Sequence, residues 1–292
     1  MKLSIDSFYP CAFLGTEEAF RQIRKAGYDC VDVSYYGIDP YDDPLLNDGY
    51  IEYAKKLRGV LDEIGLECNQ AHASMVFDNE HGTPFDVSYP SYRAVVRSME
   101  SASILGAKQI IVHPVAIHGA LYSDPVEEYN LGFYRSLIPY CEKFNIKVAV
   151  ENLYNTDSKR NGYINHRCGT PRMLARMIER LDSPWITACV DLGHAAILGF
   201  EPQDFLTEMP KGMVTALHIH DTDYIHDSHQ LPYLANHDWE KIMKALKDTG
   251  YGGDFTFELT SFNRAFPKEL IPDALKFSHA VGRHLISLYE QA

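Results

Sequence analysis

The sequence predicts an α/β protein, a single (β/α)8 barrel over residues 1–292. Three observations carry that reading. Short apolar runs alternate with longer amphipathic segments eight times along the chain. A regular strand–helix alternation implies a parallel sheet with right-handed crossovers. Eight units in 292 residues suit a closed barrel better than an open sheet, because such barrels form one domain of roughly 250 residues. No linker, composition shift, internal repeat or low-complexity tract divides the chain.

The elements follow in order. The first run is residues 3–6. A helix then runs from Thr16, read as its N-cap, through Glu17 and Glu18 to a stop at Gly27. The second run is residues 30–34, and a helix over 51–64 stops at Gly65. The third run, 67–72, precedes a helix from about Tyr92 to Gly106; the fourth, 109–114, precedes one from about Pro125 to Asn145. The fifth run is 147–152. Thr170 and Pro171 then open a helix as N-cap and first residue, reaching about Leu181. The sixth run is 186–191, with a short helix after Pro202. The seventh is 214–220, with a helix capped by Asp238 and stopped at Gly250. The eighth is 255–259, and a last helix ends near Tyr289.

Composition narrows the function classes. The chain is 46% hydrophobic and 23% charged, which is ordinary for a globular protein and sufficient for a full core. Lys and Arg number 27 against 40 Asp and Glu, a net charge of −13. That excess argues against general affinity for nucleic acid or anionic lipid, both of which need positive surface. The start of the sequence has no basic stretch followed by an apolar one, and no apolar run approaches the roughly 20 residues of a membrane span. A cytoplasmic location is therefore expected. The six cysteines form no CxxC pair and read as small buried hydrophobes in a reducing compartment.

The functional signal lies in where ionisable residues fall. Runs three to eight end in or near His72, His113, Glu151, Asp191, His218 and Glu258. In a barrel those ends converge on one face, where active sites are built. Three carboxylates gathered there would repel one another and be costly to bury. A divalent cation removes that cost. Mixed imidazole and carboxylate ligands suit Zn²⁺ or Mn²⁺ first, then Co²⁺ or Fe²⁺, with Mg²⁺ the poorest match. His194 lies three residues past Asp191, and His220 would share a strand face with His218. Asp227 and His229 form a D-x-H pair in the loop after the seventh strand. His81, His118, His166 and His237 read as surface or loop histidines. Phe8, Tyr9, Tyr35, Tyr36, Phe77 and Phe262 are candidate walls of a small-molecule pocket, and the basic loop from Ser158 to Arg167 a candidate anion contact. No Gly-rich nucleotide motif, P-loop or nucleophile elbow is present.

Val150-Glu151-Asn152, Val190-Asp191-Leu192-Gly193-His194, Leu217-His218-Ile219-His220-Asp221 and Phe257-Glu258-Leu259 resemble the xylose isomerase-like TIM-barrel superfamily. That group contains sugar isomerases and epimerases, inosose dehydratases and endonuclease IV. The resemblance spans nearly the whole chain. Its ketose 3-epimerase branch implies one divalent metal on Glu151, Asp191, His218 and Glu258. His218 is preferred over His220 because it stands three residues before Asp221, matching an H-x-x-D/E pattern. The same branch carries an Arg several residues after that His, where this chain has Tyr224.

The resemblance implies a sugar or sugar-derivative isomerase or epimerase working through an enediolate, with Glu151 and Glu258 as catalytic acid and base flanking the substrate from across the barrel. A dehydratase-like lyase on a polyol ketone is the nearest alternative. Endonuclease IV supplies another, a zinc phosphodiesterase acting on abasic DNA, since His72, His113, His194, Asp227 and His229 match its further zinc ligands. These residues, with His220, are candidates for a second metal or for substrate contact. Acidic loops at residues 38–43 and 77–80 favour a small neutral or anionic substrate over a duplex. The expected partner is a sugar or polyol, with no nucleic acid or membrane, and self-association is left open.

Overall fold

The computed structural model describes residues 1–39, 41–75, 77–78, 85–117, 124–157, 159 and 162–292. Eight parallel strands form the barrel: Leu3–Asp6, Cys30–Ser34, Glu67–His72, Gln109–Val112, Lys147–Glu151, Ile186–Asp191, Val214–His218 and Phe255–Phe257. The first seven pair in sequence order, and the first also pairs with the eighth. A bridge between Ile219 and Phe257 closes the ring, with Ile219 N–H donating to Thr256 C=O at 3.0 Å and Glu258 N–H to Ile219 C=O at 3.0 Å. The expected (β/α)8 barrel is the observed architecture.

The helices form for the reasons their sequences give. Gly27, Gly65, Gly106 and Gly250 each end a helix in the left-handed region. Thr170 caps Pro171–Leu181 by accepting from Met173 N–H, and Asp238 caps Trp239–Thr249 by accepting from Lys241 N–H. One cap expectation is corrected. Thr16 is the first helical residue and Gly15 occupies the cap position. A helix at Phe8–Leu14 was not expected, and residues 153–167 contain an antiparallel hairpin, Leu153–Asp157 with Gly162–Arg167, rather than a plain loop.

Two β-bulges matter for the site. Pairing between the second and third strands steps from Val31↔Cys68 to Asp32↔Gln70, passing over Asn69. Pairing between the sixth and seventh steps from Ala188↔Val214 to Cys189↔Ala216, passing over Thr215. Each bulge adds one residue and resets the inward–outward alternation. Asn69 can thus reach Ser4 and Thr256 at the barrel floor, while Gln70 and His72 face inward above it. Thr215 bonds Gln109 at the floor, while Ala216 and His218 face inward above. Without these steps, the third and seventh strands would turn His72 and His218 outward.

Candidate metal centre

Above the small apolar layer of Ile111, Ala149, Cys189 and Ala216, the strand ends converge. Glu151, fully buried, is the hub. Its Oε2 lies 2.7 Å from His113 Nε2 and 3.9 Å from His72 Nε2. Its Oε1 lies 2.8 Å from His218 Nδ1 and 3.7 Å from His194 Nδ1. Glu258 Oε2 is 3.4 Å from the same His218 Nδ1 and 3.5 Å from His229 Nδ1. Glu151 and Glu258, expected across the barrel from one another, therefore converge on one nitrogen.

Asp191 sits beside this group. Both its carboxylate oxygens lie 3.1 Å from His220 Nε2, and Oδ1 accepts from His194 N–H at 2.6 Å. Asn152 pins it, accepting from Asp191 N–H at 2.7 Å and donating to Asp191 C=O at 2.9 Å. His220 needs the glycine of the Asp191–His194 motif. A Cβ on Gly193 would stand 1.9 Å from His220 Cε1.

The loop after the seventh strand is organised by buried Asp221. Its carboxylate accepts from Trp239 Nε1–H at 2.9 Å and from the backbone N–H groups of Tyr233 and His237 at 3.0 Å. The Asp of the H-x-x-D pattern thus shapes this loop. The loop delivers Asp227 and His229, whose Oδ1 and Nε2 are 3.2 Å apart. Asp227 also meets His194 Nε2 at 3.5 Å and accepts from Tyr154 O–H of the hairpin at 2.7 Å.

Burial and charge work against each other here. Burial alone would raise Glu151, but the His218 and His113 imidazoles hold its carboxyl well below the usual range. Burial prevails at Glu258 and raises it to about 8. Burial lowers His72 to about 3. His194 and His218 are raised well above the usual imidazole range, because nearby carboxylates outweigh burial. Asp227 and Glu258 likewise raise His229 to about 10.

The donor set suits a divalent cation. Groups of ligand atoms within 4.8 Å of one another include His72–His113–Glu151, His72–His218–Glu258, His194–Asp227–His229 and His220–His229–Glu258. Glu151 Oε2, Asp227 Oδ1 and His218 Nε2 are buried without a well-formed hydrogen bond. Imidazole nitrogens and carboxylate oxygens gathered within such distances are a donor set that could hold a divalent cation.

A cavity of about 260 Å³ opens above. Phe8, Tyr9, Tyr36 and Tyr154 wall it, and Asp6, Ser34 and Thr260 add polar groups. The strand-end pattern, applied only from the third strand onward, missed Asp6 and Ser34 at the ends of the first two. Tyr154, beside a segment read as a basic loop, carried no signal in the sequence. Several expectations are corrected. Tyr35 and Phe262 are buried in the core, with Tyr35 O–H donating to Ser101 Oγ. His237 lies in a loop, as read, but is buried there beside Thr222 Oγ1 at 3.0 Å. Tyr224, which stands where the 3-epimerase branch carries an Arg, bonds Glu201 outside the cavity lining, in keeping with the noted departure. Pro40, Asn79, Glu80, His81, His118, Ser158 and Arg160 lie outside the described residues, as do the side chains of Phe77, Asp78, His166 and Arg167.

The profile of the xylose isomerase-like TIM barrel family matches residues 20–281, and the chain belongs to that family. Uncharacterized protein y4fM of Sinorhizobium fredii is 25% identical over 270 residues, covering 84% of this chain and 81% of its own. A probable endonuclease 4 of Bacillus licheniformis is 24% identical over 251 residues, covering 73% and 80% respectively. Among solved structures, a D-tagatose 3-epimerase-like protein superposes with a TM-score of 0.74 at 17% identity, over 100% of this chain and 99% of that one. That likeness shows the fold. Among the described residues, no helix is long and apolar enough to cross a membrane.

Proposed function

We propose that this chain is a divalent-metal-dependent isomerase or epimerase of a sugar or sugar derivative, moving a proton next to a carbonyl. The observation that carries this reading is the meeting of Glu151 and Glu258 at His218 Nδ1 beneath a sugar-sized, aromatic-walled cavity. The shared fold of the D-tagatose 3-epimerase-like protein is consistent with it.

Glu151, His218 and Glu258 would hold the cation, Zn²⁺ or Mn²⁺, with Asp191 as the fourth ligand beside them. His72 and His113 on one side, and His194, Asp227 and His229 on the other, are the candidate holders of further ions. When bound, the cation would polarise the carbonyl of an α-hydroxyketone and stabilise the negative charge of an enediolate. The residues then divide the work. Of Glu151 and Glu258, one takes the proton from the reacting carbon and the other returns one, to the opposite face for epimerisation or to the neighbouring carbon or oxygen for isomerisation. His194 hydrogen-bonds a substrate hydroxyl. The aromatic wall packs against the carbon skeleton and excludes water. Loss of a hydroxyl from the same enediolate would make the enzyme a lyase.

The test is turnover of a panel of ketoses and polyol ketones in D₂O with metal-loaded protein. Deuterium on the reacting carbon is expected. A product free of deuterium would overturn the proton-transfer route, and loss of water from the product would select the lyase.

A second reading rests on the two further ligand groups, His72–His113–Glu151 and His194–Asp227–His229. With the endonuclease-like relative, they support a metal phosphodiesterase acting on abasic DNA. Against it, the net charge is −13 and the described residues lining the cavity include no Lys or Arg. An abasic-duplex cleavage assay separates the two readings.

A further inference from the structure

We propose that the substrate carries a second, uncharged sugar ring, seated in a groove that continues the metal-centre cavity past Tyr36 and Met75. This deepens the reading above and rests on it. The cavity over the imidazoles and carboxylates has a volume of about 260 Å³, small among ligand pockets and suited to one sugar ring. A groove of about 560 Å³ adjoins it. Tyr36 and Met75 line both, so a molecule reacting in the first extends directly into the second.

The second strand builds the shared wall. Past its end at Ser34, Tyr35 turns into the core and bonds Ser101, while Tyr36 stands at the mouth. The Tyr36 ring meets His72 edge-on at 5.4 Å and Phe8 at 6.1 Å, which hold it in place. It is nevertheless 40% exposed. Tyr41, which also lines the groove, is 61% exposed, and Asp39 Oδ1 fixes its turn by accepting from its N–H at 2.8 Å. Large aromatic side chains this exposed beside a catalytic mouth mark a ligand surface. A tyrosine packs its ring against C–H groups and keeps its hydroxyl available for hydrogen bonds. A pyranose is apolar on its faces and hydroxylated around its rim, so it matches that surface.

The polar lining defines the ring further. Asp39, Ser74 and Ser91 add a carboxylate and two hydroxyls, partners for sugar O–H groups. The described residues lining the groove include no Lys or Arg. An anionic extension such as a phosphate would face Asp39 with no cation to pair it. A plain alkyl chain would cover the serine hydroxyls without pairing them. A neutral glycosyl ring satisfies both the aromatic and the polar groups.

The experiment compares fructose with isomaltulose, maltulose and turanose, each a glucosyl ring joined to fructose. The proteins are metal-loaded wild type, Tyr41→Ala and Ser91→Trp. Tyr41→Ala removes a ring that lines the groove and not the inner cavity. Ser91→Trp fills the groove from the first turn of the helix Pro90–Leu105. The readout is the ratio of kcat/KM for each glucosyl-fructose to that for fructose. In wild type at least one ratio should reach about 10, and both variants should remove that preference, chiefly through KM. A wild-type preference for fructose over all three overturns the proposal, as does a preference that survives in either folded variant. Turnover of none of these sugars, nor of the ketose panel above, would sink the isomerase reading instead. Calorimetric titration of isomaltulose into metal-loaded wild type and Tyr41→Ala then decides the groove. Binding about 10-fold weaker in the variant supports it, and equal or absent binding overturns it.

Discussion

The two ends of the barrel interior are both polar and are built from the same strands, but they solve burial differently. At the floor, neutral side chains satisfy one another. Ser4 O–H donates to Asn69 at 2.8 Å, Gln109 and Thr215 share two bonds at 2.7 and 2.9 Å, and Thr187 O–H donates to Met213 C=O at 2.7 Å. At the mouth, imidazoles and carboxylates crowd together and leave buried atoms without proper partners. A neutral hydrogen-bonded ring is complete in the protein alone. A ring of ionisable groups is costly until something shares its charge. The difference separates a structural layer from one prepared for a ligand.

The largest effect should come from the hub. Glu151→Gln removes the carboxylate that four imidazoles approach. The variant should lose bound metal and about 10²–10⁴-fold of ketose turnover, followed by metal analysis and kinetics. Retention of both would place the mouth in the same structural class as the floor.

Gly193→Ala should rank next. The new Cβ would collide with His220, costing about 1–3 kcal/mol in thermal or denaturant unfolding and weakening Zn²⁺ binding by disturbing Asp191. An unchanged melting curve would show that His220 moves freely.

Acidity should sharpen the contrast. His194 and His218 sit well above the usual range and His229 at about 10, so the metal-free protein holds these rings protonated near pH 7. A cation bound by them displaces protons, so affinity should strengthen as pH rises and weaken toward acid. Calorimetry in buffers of different ionisation enthalpy should register the released protons. At about 100 times Kd, Zn²⁺ should add about 2.7 kcal/mol of stability.

The smallest effect is at the floor. Thr187→Val removes a hydroxyl bonded to Met213 C=O and placed 3.0 Å from Thr215 Oγ1. It should cost about 1 kcal/mol of stability and leave metal content unaltered. A loss of metal would mean that the two ends are coupled.

Most of the fold was legible because strand–helix alternation and helix-stop glycines are local signals. The convergence of Glu151, His218 and Glu258 was legible because each residue ends its strand. The bulges at Asn69 and Thr215 were not, since nothing local marks them; they arise from pairing with neighbours distant in sequence. The hairpin at Leu153–Arg167 was obscured because its basic residues suggested a solvated loop, whereas Tyr154 turns inward to Asp227.

The bare Cα of Gly193 beneath His220 also constrains the order in which this mouth can change by successive mutation. A lineage that first acquires any side chain at 193 must pass through an intermediate with the two groups overlapping. A lineage that first shrinks position 220 opens the space and can then vary 193 without that obstacle. The accessible route is therefore directional. Substitution at position 193 costs least after the imidazole has gone, so while the histidine persists the glycine is favoured with it.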